Sequence, residues 1–555
     1  MRKEKFPILL LIAFGLILLI NVLQGIFTEL DPDEAYYWMY SRDLAWGYFD
    51  HPPFVALLIR TGSSLLPGSI GVRLWAPLLQ LFSLWMIWRM LGSPRESKHL
   101  LAFILLALAF PMFQAYGFVM TPDVPLLFFT VLFFWTYQRF LKKPNILHAL
   151  FWGASMALLL YSKYHGILII GMSVLANLQL LRQKNFYLAS IFGILLFLPH
   201  FYWQYAETFP SFQYHLAGRN DAYSIDHQLN FFLGQVYTFG PFLLPLLLIY
   251  YRKFKRNTAF YRFLFFLIPA VFVFFFLNSF NGHPEPQWTV VLCIPFIFLG
   301  YELSSRNETF RKFLYIGGGL SLFLCLLLRI AMLPGLSKIR PAMQELSWMV
   351  DLKEKSGGVP LFFQNSYRSS SKYHFYFNIP AFTYTDHSYR RNQYDLWTHE
   401  KELHNQEVLF VGECEDCKEI QLAGGKKIHA LKVDSLQIAQ KLELSLMDAE
   451  IDMESQSEKE IRLKLYNPYE HDIIPGKSEL PLEFRYMIFG EKEILFDGNL
   501  EFALFPQKIP AQRSLVKKVK IKIDEELKGP FSIAFGFAYK GSRTSVLSPL
   551  YPIKK

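Results

Sequence analysis

Residues 6–38 read FPILLLIAFGLILLINVLQGIFTELDPDEAYYW, an apolar run of membrane-spanning length followed at once by a group of carboxylates. A helix that crosses a bilayer needs roughly 20 mostly apolar residues, and this run supplies them. Basic residues precede it and no small-residue cleavage site follows it, which indicates an uncleaved anchor rather than a signal peptide. The stretch therefore predicts a membrane protein whose first outer segment opens with acidic side chains.

The rest of the sequence divides into an apolar part and a polar part. The chain has 555 residues, of which 52% are hydrophobic and only 18% are charged. The charges are unevenly distributed along the chain. Before Gly335 there are 25 basic residues (Lys and Arg) and 15 acidic residues (Asp and Glu), whereas after it there are 31 basic and 31 acidic residues. The net charge of +10 therefore belongs to the apolar part. No basic face with interleaved aromatic residues accompanies it, which excludes nucleic acid as the partner.

Eleven stretches of the apolar part approach the length of a membrane span. They lie at about 6–27, 72–91, 99–118, 123–141, 147–162, 165–181, 186–203, 231–251, 261–278, 287–303 and 312–333. With the N-terminus in the cytoplasm, 19 of the 25 basic residues before Gly335 fall in cytoplasmic segments, as the positive-inside rule requires. The sequence therefore predicts a polytopic α-helical membrane domain over 1–334 and places the C-terminal part outside.

Polar and ionisable residues cluster in the loops that this topology places on the outer side. These loops contain DPDE (31–34), FDHPP (49–53), TPD (121–123), SKYHG (162–166), FQYHLAGRND (212–221) and NGHPEPQW (281–288). Ionisable groups at a membrane boundary are costly to desolvate and mark functional sites. Six clusters on one side predict a single active site at the outer surface. The long first loop also predicts two interfacial helices, DEAYYWMYSRDLA and FVALLIRTGSSLL.

Several of these motifs together resemble a known family. The run DEAYYWMYSRDLAWGYFDHPPFVALL, then GVRL (71–74), TPDVPLLFF (121–129), SKYHG (162–166) and EPQW (285–288), is similar to the protein O-mannosyltransferase family, glycosyltransferase family 39. Its bacterial members include the lipid A aminoarabinose transferases, and RRNQYDLW (390–397) resembles part of that subfamily's pattern. The resemblance implies the C-superfold of glycosyltransferases and a location in the bacterial inner membrane, with a periplasmic C-terminal part.

The resemblance also implies inverting transfer of a sugar from a polyprenyl phosphate to an acceptor on the outer face. Asp33 is the implied catalytic base, with Glu34 beside it, because the attacking hydroxyl must lose a proton. The departing phosphate needs cationic or hydrogen-bond-donating groups. The residues expected to bind it are Lys163, Arg73, His51 and Arg219. The residues expected around the substrates are Asp50, Asp123, Tyr164, His165, His215 and Glu285.

Two features leave the sugar and the metal requirement open. The aminoarabinose transferases typically have a Lys before the Pro-Pro pair of the first loop, where this chain has His51, so the motif does not specify the sugar. Asp31 and Asp33 form a D-x-D pattern that is compatible with a divalent cation. The family's users of polyprenyl monophosphates are thought to need none, so no metal and no other cofactor is expected. Helix capping is the structural alternative for these carboxylates.

From residue 335 onward the sequence predicts two outer segments. Residues 335–425 mix helix and strand character and resemble the exoplasmic α/β domain of the family. Residues 426–555 contain stretches with two-residue alternation separated by Pro and Gly turns, which indicates an antiparallel β-sandwich. Cys414 and Cys417 form a C-x-x-C that lacks the second ligand pair of a structural zinc site, and a local disulfide is one alternative.

Two alternatives to an enzyme stay open at this point. A polytopic transporter or flippase would place coupling residues near the bilayer midplane and would carry internal repeats, neither of which the sequence shows. A catalytically inactive scaffold would use the β-rich segment to recruit envelope partners. The partners expected for the enzyme are a polyprenyl-phosphate sugar donor, the membrane, and an acceptor that is lipid A, another envelope glycan or a protein.

Overall fold

The structure is a computed structural model that describes residues 7–216, 218, 223–333, 345–448, 451–452, 458–490, 493–502, 507–522 and 530–554. The chain forms two compact units, Met1–Gln344 and Glu345–Lys555. The predicted phosphate ligand Arg219 and the basic residues before the first helix lie outside the described residues.

The first unit is helical throughout its described part. Its α-helices are α1 (Ile8–Phe27), α2 (Pro32–Arg42), α3 (Phe54–Leu65), α4 (Gly68–Arg73), α5 (Trp75–Met90), α6 (Ser97–Leu108), α7 (Pro111–Ala115), α8 (Asp123–Lys142), α9 (Ile146–Ser162), α10 (Gly166–Leu175), α11 (Lys184–Ala206), α12 (Pro210–Leu216), α13 (Ile225–Phe239), α14 (Leu243–Ile249), α15 (Ala259–Asn278), α16 (Cys293–Arg306) and α17 (Glu308–Ala331). A 3-10 helix, Pro286–Leu292, leads directly into α16.

Seven helical segments of the described chain are long and apolar enough to cross a membrane, or eight if α13 and α14 form one broken span. α13 and α14 meet at an angle of 102°. The break falls at Gly240, whose φ of 83° suits glycine because it lacks a Cβ. Three further predicted spans coincide with the shorter apolar helices α6, α9 and α10. The polytopic helical fold is thus confirmed, whereas the predicted count of eleven spans is not.

Helices α9 and α11 pack closely against each other through glycines. A Cβ on Gly153 would collide with the carbonyl oxygen of Ala189, and a Cβ on Gly193 would press on the carbonyl oxygen of Gly153. Small residues of this kind let two helix backbones approach within a membrane, where packing rather than the hydrophobic effect drives helix association. The contact holds the SKYHG segment after α9 beside the C-terminal half of α11.

The second unit contains helices α18 (Leu346–Ser356) and α19 (Tyr367–Phe377) and fifteen strands within its described residues. The strands are β1 (Leu361–Gln364), β2 (Ala381–Tyr384), β3 (Val408–Val411), β4 (Lys418–Gln421), β5 (Lys427–Val433), β6 (Glu443–Leu446), β7 (Ile451–Asp452), β8 (Glu458–Tyr466), β9 (Leu482–Phe489), β10 (Ile494–Asn499), β11 (Glu501–Phe502), β12 (Ser514–Lys522), β13 (Phe531–Tyr539), β14 (Ser545–Val546) and β15 (Tyr551–Lys554).

These strands form three sheets. A five-stranded sheet has the order β2-β1-β3-β5-β4, in which β1 is parallel to β2 and β3. A six-stranded sheet contains the path β10-β9-β13-β15-β7, and a four-stranded sheet has the order β11-β12-β8-β6. The Tyr486 hydroxyl on β9 donates to the carbonyl of Lys522 on β12, which joins the two β-rich sheets. The β-sandwich expected from two-residue alternation is present, but it is not wholly antiparallel, because β15 pairs with β7 in parallel.

The α/β part and the β-sandwich belong to one compact unit. The five-stranded sheet ends at Val433, past the boundary at residue 425 that the sequence suggested. Cys414 and Cys417 form a disulfide, one of the two states that the sequence left open. The short loop that they close contacts the sandwich, because the Glu415 amide donates to the Lys540 carbonyl at 3.0 Å.

Candidate active site

The carboxylates of the DPDE segment have different environments. Asp31 caps α2: its side chain accepts from the Asp33 amide at 3.0 Å, and its own amide donates to Glu34 Oε2 at 2.9 Å. This reciprocal capping box satisfies two backbone donors at the helix start. Asp31 and Glu34 are buried, whereas Asp33 is half-buried. Among these three described residues, Asp33 is therefore the most exposed.

Glu34 is held by partners far apart in the sequence. Besides the capping contact, its Oε1 accepts from Arg73 Nε at 2.8 Å and from the Met120 amide at 2.7 Å, and its Oε2 accepts from Arg73 Nη2 at 2.5 Å. A buried ion pair is tolerated when its remaining hydrogen-bonding groups are also satisfied. Glu34 was expected to lie beside the catalytic base. Its hydrogen bonds instead give it a structural part, because they connect the first loop to the segment before α8.

Arg73 completes this cluster and uses every N–H of its guanidinium. Its Nη1 donates to the carbonyls of Gly25 and Thr28, both at 2.9 Å, and its Nη2 also donates to the Glu29 carbonyl at 2.8 Å. The side chain thus closes the C-terminal end of α1, where helix carbonyls lack intrahelical donors. Arg73 was predicted to bind the donor phosphate, which in this arrangement would require one of these bonds to break.

Lys163 and Asp123 form a second buried ion pair at short range. Lys163 Nζ lies 2.8 Å from Asp123 Oδ1 and 3.0 Å from Oδ2, with both side chains buried. The pair joins the TPD motif at the start of α8 to the SKYHG motif after α9. Lys163 was predicted to bind phosphate and Asp123 to lie near the substrates, and the structure brings these two residues into contact.

Asp50 and His215 also meet, at the FDHPP segment. Tyr40 donates its hydroxyl to Asp50 Oδ1 at 2.6 Å, and His215 Nε2 donates to the Asp50 carbonyl at 3.0 Å. The Tyr40 ring stacks on Tyr48 with ring centroids 4.1 Å apart. Burial, with the Asp50 charge next in size, raises the pKa of the Tyr40 hydroxyl, which keeps it a hydrogen-bond donor at neutral pH. A hydrogen bond thus brings the predicted residues 50 and 215 together.

A cavity of about 270 Å³ lies beside these contacts. Five predicted site residues line it, namely His51, Lys163, Tyr164, His165 and His215. Apolar and aromatic residues form part of its wall, and the ring centroids of Phe275 and Trp288 lie 4.9 and 5.4 Å from that of His165. Three further polar residues also line it, Asn278, Asn281 and His283. The cavity combines cationic and donor groups with an apolar wall, as an anionic headgroup with a hydrocarbon tail would require. Asp33, Asp50, Asp123 and Glu285 do not line it.

A polar network that sequence reasoning missed supports Tyr164. His200 Nδ1 donates to the Trp46 carbonyl at 2.7 Å, which leaves its Nε2 to accept from the Tyr164 hydroxyl at 3.0 Å. Gln204 donates to Tyr164 at 3.0 Å and to Ser211 at 2.7 Å. His200 and Gln204 lie one turn apart in the apolar helix α11. Polar residues inside an apolar helix indicate a functional or structural site, and this pattern could have pointed to the network from the sequence.

No group of three or more His, Cys, Asp and Glu side chains within the described ranges is arranged to hold a metal ion. In the D-x-D pattern, the Asp31 carboxylate is engaged in capping α2. A cofactor-independent reaction remains a prediction.

Comparison with known proteins finds a family similarity within the helical unit. Residues 50–203, which contain the FDHPP, TPD and SKYHG motifs, match the family described as dolichyl-phosphate-mannose-protein mannosyltransferase. This part of the chain is similar to that family. The resemblance predicted from the motifs is therefore confirmed for this part of the chain.

Individual relatives agree with this assignment. The chain is 24% identical to the lipid A galacturonosyltransferase RgtD of Rhizobium johnstonii over 229 residues, which cover 39% of this chain and 48% of the relative. The match thus spans about half the length of that protein. Crystal structures of ArnT from Cupriavidus metallidurans, in the apo state and bound to undecaprenyl phosphate, match with a TM-score of 0.56 and identities of 13% and 15%. Both matches cover 76% of this chain and 97% of ArnT, which confirms the C-superfold glycosyltransferase fold.

Proposed function

We propose that this protein is an integral-membrane glycosyltransferase that moves a sugar from a polyprenyl-phosphate donor to an envelope acceptor on the outer face, with Asp33 as the base. The observation that carries the proposal is the contrast within DPDE. Glu34 is buried with its oxygens occupied by Arg73 and two backbone amides, whereas neighbouring Asp33 is half-buried. A base needs a carboxylate that an acceptor hydroxyl can reach.

The proposed reaction is one displacement. The acceptor oxygen attacks the anomeric carbon, Asp33 takes its proton, and the bond from that carbon to the phosphate oxygen breaks with its electron pair going to the phosphate. Attack from the opposite face inverts the anomeric configuration. The released polyprenyl phosphate gains negative charge, which Lys163 and a ring N–H of His51 at the cavity can stabilise.

The ArnT structure bound to undecaprenyl phosphate supports this class of donor, because that protein has the same fold. The cavity that Lys163, His51 and His215 line offers a place for the donor phosphate, with Phe275 and Trp288 as an apolar wall for the start of the tail. Whether the sugar is a hexose or a pentose is decided by experiment.

The proposed acceptor is lipid A, another envelope glycan or a protein. The name of the relative from Rhizobium johnstonii makes lipid A the first acceptor to test. The distribution of basic residues supports an N-terminus in the cytoplasm of a bacterial inner membrane and an outward-facing site, with the second unit in the periplasm.

The test measures release of sugar from labelled polyprenyl-phosphate hexoses and aminopentoses, in membranes that contain the wild-type protein, Asp33→Asn or Asp226→Asn. Asp226 is an exposed acidic residue that the predicted topology also places on the outer side of the membrane, so it serves as the matched control. We expect turnover with one donor class, loss in Asp33→Asn, and no change in Asp226→Asn. Background turnover with every donor, from a folded wild-type protein supplied with acceptor extract, would contradict the proposal. The anomeric configuration of the product, read by NMR, tests inversion separately.

A further inference from the structure

The second unit contains a large cleft that the transfer reaction does not use. Its volume is about 1260 Å³, and it lies where the α/β part meets the β-sandwich within this unit. The loop after β2 and the segment 393–402 form one wall, while 468–471 and β14 belong to the other. Sites for small ligands measure roughly 300–1,000 Å³, so this cleft is large enough for a longer ligand.

The walls of the cleft are fixed to each other by hydrogen bonds. Ser545 Oγ donates to the Thr385 carbonyl at 2.7 Å, and the His387 amide donates to the Thr544 carbonyl at 2.9 Å. Since both contacts join the loop after β2 to the sandwich, the cleft keeps its shape without a ligand. A preformed site loses less conformational entropy on binding.

Hydrogen-bonded side chains form the floor of the cleft. The Tyr469 hydroxyl donates to Glu400 Oε1 at 2.9 Å and accepts from the Lys441 amide at 3.1 Å. The Thr385 hydroxyl donates to Asp395 Oδ2 at 3.0 Å. Glu400 and Tyr469 are each 5% exposed. These groups are oriented by one another, so they present carboxylate and hydroxyl groups in fixed directions.

The charge of the lining is predominantly negative. Its described residues include six carboxylates, Asp386, Asp395, Glu400, Glu402, Glu443 and Glu470. They include three Lys or Arg residues, Arg391, Lys401 and Lys441. A cleft lined by one sign of charge concentrates its field and repels ligands of the same sign. The lining therefore disfavours acidic polymers, and its many polar groups disfavour an acyl chain.

We propose that this cleft binds a carbohydrate without acidic groups, either a neutral or an amino-bearing oligosaccharide. A sugar chain presents hydroxyls that both donate and accept, and the lining offers carboxylates, Thr and Ser hydroxyls and Gln amides to pair with them. The half-buried rings of Tyr389 and Phe489 supply apolar faces for the C–H surfaces of the sugar rings. The proposal concerns binding alone and goes beyond the transfer reaction proposed above.

The test uses the full-length protein in detergent and three tetrasaccharide probes, followed by isothermal titration calorimetry. The probes are the tetramers of N-acetylglucosamine (neutral), glucosamine (cationic) and galacturonic acid (anionic). We expect saturable binding of the neutral or the cationic probe and binding at least tenfold weaker for the anionic probe. Binding of none of the three at millimolar concentration, or tightest binding of the galacturonic acid tetramer, would overturn the proposal.

Variants locate the binding and separate it from the membrane site. Tyr389→Ala and the double variant Glu402→Gln/Glu470→Gln change residues of the cleft wall and should weaken binding about tenfold, about 1.4 kcal/mol. Glu354→Gln changes an exposed carboxylate on α18 outside the cleft and should bind as wild type. Asp33→Asn should also bind as wild type, even if transfer is lost. Binding that falls in Asp33→Asn but not in the cleft variants would assign it to the membrane site and refute the proposal.

Discussion

Glu34 and Arg73 are joined by two hydrogen bonds, of 2.8 and 2.5 Å, and the side chains of both residues are buried. The same guanidinium holds three carbonyls around the end of α1, and the same carboxylate holds the backbone of the TPD segment through Met120. The pair thus fixes the position of α2, on whose first turn Asp33 lies. Within the acidic dipeptide after the first span, Glu34 thus anchors the loop, whereas Asp33 is half-buried.

Glu34→Gln should lower stability far more than Asp33→Asn. A Gln leaves the buried Arg73 without its counter-charge, and breaking a buried pair in this way costs roughly 3–5 kcal/mol. Asp33 is half-buried and its carboxylate is not needed for the capping box of Asp31 and Glu34. Thermal unfolding of the two purified variants in detergent measures the difference. Equal midpoints would show that the pair does not anchor the loop.

A double-mutant cycle at Lys163 and Asp123 should separate the effect of their ion pair on stability from the effect of Lys163 on activity. Lys163→Met and Asp123→Asn each leave a buried polar group without its partner, so each should lower the unfolding temperature. The double variant should recover part of this loss, because neither charge remains. It should stay inactive, since Lys163 also lines the cavity proposed for the donor phosphate. Full activity in a stable double variant would remove Lys163 from the proposed mechanism.

The sequence predicted the helical and β-rich parts because their patterns are local. Runs of apolar residues indicate spans, and alternation in segments such as β8 and β12 indicates strands with one buried face. The count of spans could not be read in the same way. α6 has 12 residues and α10 has 10, and whether such a helix crosses the bilayer depends on its neighbours.

The candidate site was predictable by residue identity but not by role. The motifs pointed to Asp33, Glu34, Arg73 and Lys163, yet the partner of Glu34 lies 39 residues away and is known only once the chain has folded. The sequence alone suggested that the charge of Arg73 is available for a ligand. Its carbonyl partners at the end of α1 lie far from it in the sequence and could not be foreseen. The Tyr164 network was missed since His200 lies inside an apolar helix rather than in a motif.

Gly117→Ala should disrupt a buried polar cluster. An added Cβ would collide with the amide groups of Asn21 and Gln80, which are hydrogen-bonded to each other at 2.7 Å. Asn21 in turn accepts from the buried Arg329 at 2.6 Å. We expect a loss of about 1–3 kcal/mol in the free energy of unfolding, as for other overpacked sites. Gly319→Ala on α17 is the control, because nothing lies within 4 Å of its Cβ position. An equal loss of stability in both variants would mean that this collision is not responsible.

His404 should make the second unit less stable as the pH falls. Its Nε2 donates to the Asp472 carbonyl at 3.1 Å and its Nδ1 accepts from the Ile438 amide at 3.3 Å, an arrangement that only the neutral ring can make. Burial and the stacked ring of His471 lower the pKa of His404 from 6.5 to about 4. Between these values the unfolded chain binds more protons than the folded chain, so the free energy of unfolding decreases with falling pH, by roughly 2 kcal/mol at pH 5.

The measurement for His404 is thermal unfolding of the full-length protein between pH 7.5 and 4.5, compared with His404→Gln. The variant cannot take up this proton, so its unfolding temperature should fall less over the same range, even if it is lower at neutral pH. Buried Asp395 and Glu400 have raised pKa values and act in the opposite direction, but they are present in both proteins and cancel in the comparison. Parallel pH profiles for the two proteins would show that His404 is not the group that titrates.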